Sequence, residues 1–291
     1  MITRFAPSPT GPLHLGHAYS AILAYDMAMA AGGTFLLRIE DIDQTRCKPE
    51  WETQIYNDLR WLGLWWPEPV LRQSDCIETY TASLQRQKGN GRIYACTCTR
   101  ADIAMAQSAP QEGVSGPEGP VYPGTCRPKD LYAATPYLEP DVALRLNMAE
   151  AVKYGSERRV GGDVFEFFET GHGPRGETGP MTFTAAKAIV DIGDVVLARR
   201  GLGTSYHLSV VIDDAAQGIT HVVRGQDLFE ATKIHVILQK ILYLPTPTYH
   251  HHRLIRDDAG KRLAKRDDAK SIAKFRAEGA TPADIRAMVG L

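Results

Sequence analysis

Two histidines, His14 and His17, flank Leu15-Gly16 where a loop rich in proline and glycine (Pro7 to Leu13) gives way to an alanine-rich stretch (His14 to Ala31). Amides at a helix start, together with the positive end of the helix dipole, attract anions. Gly16 has no side chain to obstruct a closely lying nucleotide, and imidazoles at this spacing share a helix face. The pair suits charge developing on a reacting phosphate; histidines at a helix start also serve as packing or capping residues. Lys261 to Arg266 taken alone is a solvated charge run. Cys96 and Cys98 form a Cys-x-Cys pair, and Tyr122-Pro-Gly-Thr-Cys126 follows. Three thiolates with one oxygen donor complete a tetrahedral zinc site, which would stabilise a segment with little core of its own. Buried free thiols are the competing reading.

These groups need a scaffold. Ile2 to Ala6 reads as a short strand, His14 to Ala31 as a helix stopped by Gly32-Gly33, and Thr34 to Ile39 as the next strand. Such a unit belongs to an open parallel sheet, which binds ligands beyond the carboxyl ends of its strands. Pro49 opens a further helix, with Trp51, Ile55, Leu59 and Leu62 at helical spacing before Gly63. The Gly- and Pro-dense stretch from Pro110 to Pro128 predicts a loop-rich insertion around the cysteines. Val195 to Leu197, Tyr206 to Ile212 and Thr220 to Arg224 read as strands of the second half of the sheet. Beyond Pro247 the polar composition predicts helix, with Thr281-Pro282 as a cap-and-start signal.

A chain of 291 residues, 44% of them apolar, can bury a sizeable core. No apolar run reaches the roughly 18 residues of a membrane span, and Met1 leads directly into Ile-Thr-Arg-Phe without a signal peptide. A cytoplasmic protein is expected, and its five cysteines then stay reduced. A net charge of −1 excludes a protein that coats nucleic acid through bulk positive charge. RNA contact must come from local patches such as Arg158-Arg159, Arg199-Arg200 and Lys261 to Arg266.

The longer motifs decide the class. RFAPSPTGPLHLGH (Arg4 to His17), LRIEDIDQTR (Leu37 to Arg46), RQS (Arg72 to Ser74), SYHLSVVIDD (Ser205 to Asp214) and THVVRGQDL (Thr220 to Leu228) resemble, in this order, the glutamyl-tRNA synthetase family. Arg262-Leu-Ala-Lys-Arg266 is similar to its KMSKS loop, with arginine for the first lysine and alanine for the serine. The resemblance implies an α/β fold: a class I synthetase parallel sheet of Rossmann type with a zinc-containing insertion and a short C-terminal helical region. The implied organisation is a first catalytic half over 1–91, an acceptor-binding insertion over 92–190, a second catalytic half over 191–244, and the KMSKS-like loop with a helical region over 245–291.

The same resemblance assigns residues. His14, His17 and Lys265 are expected to be catalytic, with Gly16 and Arg262 joining them around ATP and its Mg. Glutamate carries two carboxylates and an ammonium, so its pocket needs arginine and an acid. Arg4, Ala6, Ser8, Glu40, Tyr206 and Arg224 fall on the family's glutamate positions: the arginines for carboxylate, Glu40 for ammonium, Tyr206 as a donor. Arg224 favours glutamate over glutamine. Val210 stands where discriminating members carry asparagine, which predicts a lost contact with the ligand's backbone carboxylate. Related truncated members hold one structural zinc with residues matching Cys96, Cys98, Tyr122 and Cys126.

Full-length members continue past the KMSKS loop into a helical anticodon-reading domain, whereas this sequence ends soon after it. The expectation is therefore a monomeric, truncated branch that transfers glutamate to queuosine in tRNA(Asp), with no membrane partner. A shortened enzyme charging tRNA(Glu) and a non-catalytic RNA-binding relative are the alternatives.

Overall fold

A computed structural model describes residues 1–88, 91–99, 101–103, 115–117, 119–128, 142–157, 163–256 and 270–291. Arg158, Arg159 and the KMSKS-like loop with Arg262 and Lys265 lie outside the described residues. The strands are β1 (Ile2–Phe5), β2 (Thr34–Ile39), β3 (Leu71–Arg72), β4 (Ile93–Cys96), β5 (Ser115–Gly116), β6 (Gly119–Pro120), β7 (Ala143–Leu146), β8 (Val164–Glu169), β9 (Gly179–Thr184), β10 (Val196–Ala198), β11 (His221–Gly225) and β12 (Thr248–His252).

β1, β2 and β3 pair in parallel, with Ile2 opposite Thr34 and Arg38 opposite Leu71. Helix α1 (Leu15–Ala30) makes the crossover from β1 to β2, and its buried Ala18, Ala21, Ala24 and Ala28 let it lie close to the strands. Apolar residues are spread around the helix, broken by His17, Ser20 and Asp26, because it is covered on two sides. The strands take one side. Helix Pro282–Val289 takes the other, fixed by Arg286 to Asp26 at 2.6 and 3.0 Å. Thr281 and Asp284 cap that last helix reciprocally, as Thr281-Pro282 predicts.

β11, β12 and β8 run parallel, and β9 closes the edge antiparallel to β8. β1 lies beside β11, where the Thr220 amide donates to the Ile2 carbonyl at 3.0 Å. The two halves therefore meet between β1 and β11, so their carboxyl ends open onto one crevice, the usual ligand position in such sheets. A separate antiparallel sheet, β10-β7-β4, carries Cys96 at the end of β4.

Three elements differ from the sequence expectation. Val195 to Leu197 does supply a strand, β10, but it pairs antiparallel with β7 in the separate sheet rather than joining the second half of the parallel one, because a short apolar run does not reveal its partner. Tyr206 to Ile212 is not a strand but the start of a helix, Tyr206–Ala216. A mostly apolar run whose polar members, His207 and Ser209, are themselves buried satisfies either geometry; here the turn-by-turn return of the helix brings Tyr206, Val210 and Asp213-Asp214 inward together. Conversely, Thr248 to His252 is not helical but a strand between β11 and β8. Its three histidines read as polar surface, yet His251 and His252 are buried and every imidazole there has a partner.

Candidate active site

The cavity at the crevice holds about 570 Å³ and is lined by Arg4, Ala6, Ser8, His14, Gly16, His17, Glu40, Tyr206 and Arg224. Every described residue expected to touch glutamate or ATP thus meets the same space, although these residues come from four separate stretches of sequence. Ser20, Asp227, Leu228, His252, Leu254 and Ile255 line it as well, and were not anticipated.

The amino-terminal loop is held from below: Glu40 donates its amide to the Pro7 carbonyl at 3.0 Å, and Lys48 to that of Pro9 at 3.0 Å. At its end His14 becomes the N-cap of α1. The Nδ1 of His14 accepts from the Gly16 amide at 3.1 Å, and the Nδ1 of His17 accepts from the His14 amide at 3.1 Å. This is a capping box written in imidazoles. An Nδ1 that accepts cannot carry a proton, so both rings are protonated on Nε2. The ring centroids lie 3.7 Å apart. A Cβ on residue 16 would sit 3.0 Å from His14 Cε1, so the glycine makes room for the cap itself.

A second anchor comes from the C-terminal segment. Ser271 bridges His14, and the Ile272 amide donates to the Leu13 carbonyl at 2.8 Å. Leu254 and Ile255 line the same cavity, so the chain on either side of the KMSKS-like loop is fixed at the histidine pair.

Charge is distributed unevenly across the pocket floor. Arg4 spends Nε and Nη2 on Asp214 at 3.0 and 3.3 Å. Arg38 reaches Asp214 at 2.8 Å, Glu40 at 3.3 Å and Asp213 at 3.8 Å. Three carboxylates thus face two guanidinium groups, and one Glu40 oxygen has no donor among the described residues. Burial pushes the Glu40 carboxyl up against the pull of Arg38 and Arg4. Asp214, despite burial, is held below the usual carboxylate range by the same two arginines. Neither Arg38 nor the two aspartates had been assigned a role from the sequence.

Arg224 presents the opposite imbalance. It is 6% exposed, and its donors go to His251 Nε2 at 3.1 Å, His235 Nδ1 at 3.0 Å, Thr232 Oγ1 at 2.6 Å and the Leu228 carbonyl at 3.3 Å. These bonds use Nε–H, both hydrogens of Nη2 and one of Nη1. No carboxylate pairs with Arg224 among the described residues. Tyr206 lines the cavity beside this arginine, and burial raises its phenol. Val210 is 1% exposed in the apolar core and does not line the cavity, so it offers the ligand no contact.

The cysteine group is separate. Cys96, Cys98 and Cys126 place their sulfurs within 4.8 Å of one another. The Tyr122 hydroxyl lies 3.4 Å from the sulfurs of both Cys96 and Cys98, and Cys98 lies 3.4 Å from Cys126. Sulfurs around one tetrahedral zinc are about 3.8 Å apart, so the donors have the spacing and chemistry for that ion. Cys47 and Cys76 lie outside the group, and Cys76 packs against the core.

The family model for class I tRNA synthetases (E and Q), catalytic domain, matches residues 1–169 and 173–291. The chain belongs to this family. A protein of Rhodobacter capsulatus named glutamyl-Q tRNA(Asp) synthetase is 61% identical over the full length of both chains. One of the same name from Symbiobacterium thermophilum is 38% identical, with 97% of this chain and 83% of that one aligned. Among solved structures, a glutamate-tRNA synthetase from Elizabethkingia anophelis superposes with a TM-score of 0.72 at 24% identity. That match covers 99% of this chain and 61% of the solved one, so the chain spans about three-fifths of that structure. The likeness shows the class I synthetase fold, a mixed α/β architecture built on a parallel sheet. No described helix of this family member is long and apolar enough to cross a membrane.

Proposed function

We propose that the chain is a ligase-type enzyme that activates L-glutamate with ATP and transfers the glutamyl group to queuosine in tRNA(Asp). In the first step a glutamate carboxylate oxygen attacks the α-phosphorus, and the bond to pyrophosphate breaks. In the second a hydroxyl of the queuosine diol attacks the acyl carbon, AMP leaves and the hydroxyl proton is released. The acceptor is supported by the name shared by relatives up to 61% identical.

The amino acid is supported by one observation above all: Arg224 is a buried cation without a carboxylate partner among the described residues, in the same cavity as Glu40, an acid with an unused oxygen. A buried charge is costly unless paired. An amino acid with an acidic side chain supplies the missing anion to Arg224 and the missing ammonium to Glu40. Arg4 keeps Nη1 for the ligand, Tyr206 its hydroxyl, and Ala6 and Ser8 form the loop wall. At the other end His14 and His17 present Nε2–H to the phosphate oxygens of ATP, whose counter-ion is Mg, over Gly16, and Lys265 with Arg262 balances the charge on the leaving pyrophosphate. These roles follow the family positions and the cavity together.

In this reading the acceptor-binding insertion lies within residues 92–190 and carries β4 and β7, between a first catalytic half over 1–91 and a second half built on β11 and β12. The expected bounds of 92–190 and 191–244 do not follow the strands: β8 and β9 join the catalytic sheet beside β12, and β10 joins the sheet of β7 and β4. Residues 245–291 serve as the loop and helical region. One structural zinc on Cys96, Cys98, Tyr122 and Cys126 would, when bound, join β4 to the following loop as a closed four-ligand site. The enzyme acts as a monomer in the cytoplasm. Glutamate-dependent exchange of pyrophosphate into ATP tests the activation step: Arg224→Ala should nearly abolish it, since an unpaired anion in a desolvated pocket costs about 3 to 5 kcal/mol. Apparent glutamate affinity within about threefold of the wild type would overturn the assignment.

A further inference from the structure

The arginine that faces the cavity is held by a chain of buried side chains, His207, His235, Arg224, His251 and Glu169, of which only Arg224 lines that cavity. An arginine N–H can only donate. The ring nitrogens that meet it, His251 Nε2 and His235 Nδ1, must therefore be acceptors, and their protons sit on the opposite nitrogens. Those protons have defined destinations. His251 Nδ1–H donates to Glu169 Oε2 at 2.5 Å, and His235 Nε2–H donates to His207 Nδ1 at 3.0 Å. Glu169 Oε1 accepts the amides of His251 and Gly171, each at 2.8 Å.

Several features of the fold converge on this chain. Parallel register sets Arg224 of β11 opposite His251 of β12, and Tyr249 of β12 opposite Glu169 of β8. A Cβ on Gly171 would sit 2.2 Å from the His251 carbonyl, so only glycine lets the chain after β8 close on the histidine. Burial favours neutral imidazole at both rings, lowering His235 well below its ordinary value and His251 to about 4.

We infer that Glu169, His251 and His235 are positioning residues that orient Arg224 through neutral imidazoles of fixed tautomer, so that its charge is left for an acidic substrate rather than neutralised within the protein. A carboxylate touching Arg224 directly would hold the guanidinium equally well, but it would remove the reason to demand an anion from the ligand. Placing Glu169 one imidazole away keeps the orientation and spares the charge. This inference rests on the assignment of Arg224 as the reader of glutamate.

Glu169→Gln tests it. With its carbonyl oxygen kept on the two amides, the glutamine would aim NH₂ at His251 Nδ1 and drive the ring proton to Nε2, donor against donor at Arg224. Loss of a hydrogen bond to a charged group predicts a KM for glutamate raised on the order of 10- to 100-fold. The KM for ATP should stay within about twofold. Nitrogen NMR of the wild type, with labelled histidine, reads the tautomers without any turnover, and should show His251 protonated on Nδ1 and His235 on Nε2. Glutamate KM within about twofold of the wild type in folded Glu169→Gln protein, or the reverse tautomer at either ring, would overturn the inference. Absence of glutamate-dependent exchange in the wild type would instead sink the substrate reading and leave the tautomer result standing by itself.

Discussion

Gly16→Ala separates stability from catalysis at the histidine pair. The backbone at Gly16 does not need the left-handed region, so alanine meets no conformational penalty there. What it meets is the His14 ring, with Cε1 at 3.0 Å and Nδ1 at 3.1 Å from the new Cβ. Contacts this short push the imidazole away by a few tenths of an ångström, which strains its 3.1 Å bond to the residue 16 amide and turns Nε2–H off its target. Loss of such a cap costs about 1 kcal/mol, while alanine for glycine within a helix returns up to about 1 kcal/mol. The midpoint of thermal unfolding should hence barely move. Exchange of pyrophosphate into ATP should fall by roughly 10²- to 10³-fold, the scale of losing one preorganised donor. Repeating the change in a His14→Ala background distinguishes the cause. Without the ring the added methyl meets no neighbour from His14, so Gly16→Ala should cost little more there, a strongly non-additive cycle. Equal losses in both backgrounds would refute this reasoning and place the clash with the nucleotide instead.

His17→Ala should reduce exchange by roughly 10²- to 10³-fold, and a near wild-type rate would remove His17 from the proposed mechanism. Elemental analysis of protein purified without chelator should find one zinc per chain, lowered by Cys126→Ser; no stoichiometric zinc would refute the site. Stability should also depend on pH. His251 binds its proton near pH 4 when folded and near 6.5 when unfolded, so between these values the unfolded chain holds the extra proton. Stability therefore rises with pH across that window and is lost as pH falls through it, by up to about 3 kcal/mol. Glu169, whose carboxyl lies below its ordinary value, adds loss in the same direction at lower pH, while Arg224 and His252 face the same ring and oppose its charging. Urea unfolding that is flat from pH 7 to 4 would contradict the neutral assignment of His251.

The first strand–helix–strand unit was legible because its signals agree: strand composition, a Pro/Gly loop, an alanine-rich helix and Gly32-Gly33 to end it. The pocket residues were legible through motif resemblance, since Arg4, Glu40 and Arg224 lie far apart in sequence and their spacing alone says nothing of proximity. Tyr206 to Ile212 misled because Tyr-His-Leu-Ser-Val alternates as a strand does while its polar members are buried in a helix, and Thr248 to His252 because neutral buried histidines look like polar surface. The support of Arg224 went unread although traces were there. Val164 to Glu169 alternates outward and inward, which sends Glu169 to the core with Phe165 and Phe167. Thr232, His235 and Gln239 recur at helical spacing on the buried side of helix Ala231–Ile241, among Ile234, Val236, Ile237 and Leu238. Asp214 gave no such trace: its partners Arg4 and Arg38 come from strands at the other end of the chain.

The central claim joins an amino acid to an acceptor, and one charging assay addresses both. Purified enzyme, ATP and radiolabelled glutamate are offered queuosine-containing tRNA(Asp), the same tRNA lacking queuosine, and tRNA(Glu). Label is predicted on the first alone, in an amount that falls as salt weakens phosphate contacts. Label on tRNA(Glu) with none on queuosine-containing tRNA(Asp) would contradict the account and make the chain a shortened glutamyl-tRNA synthetase.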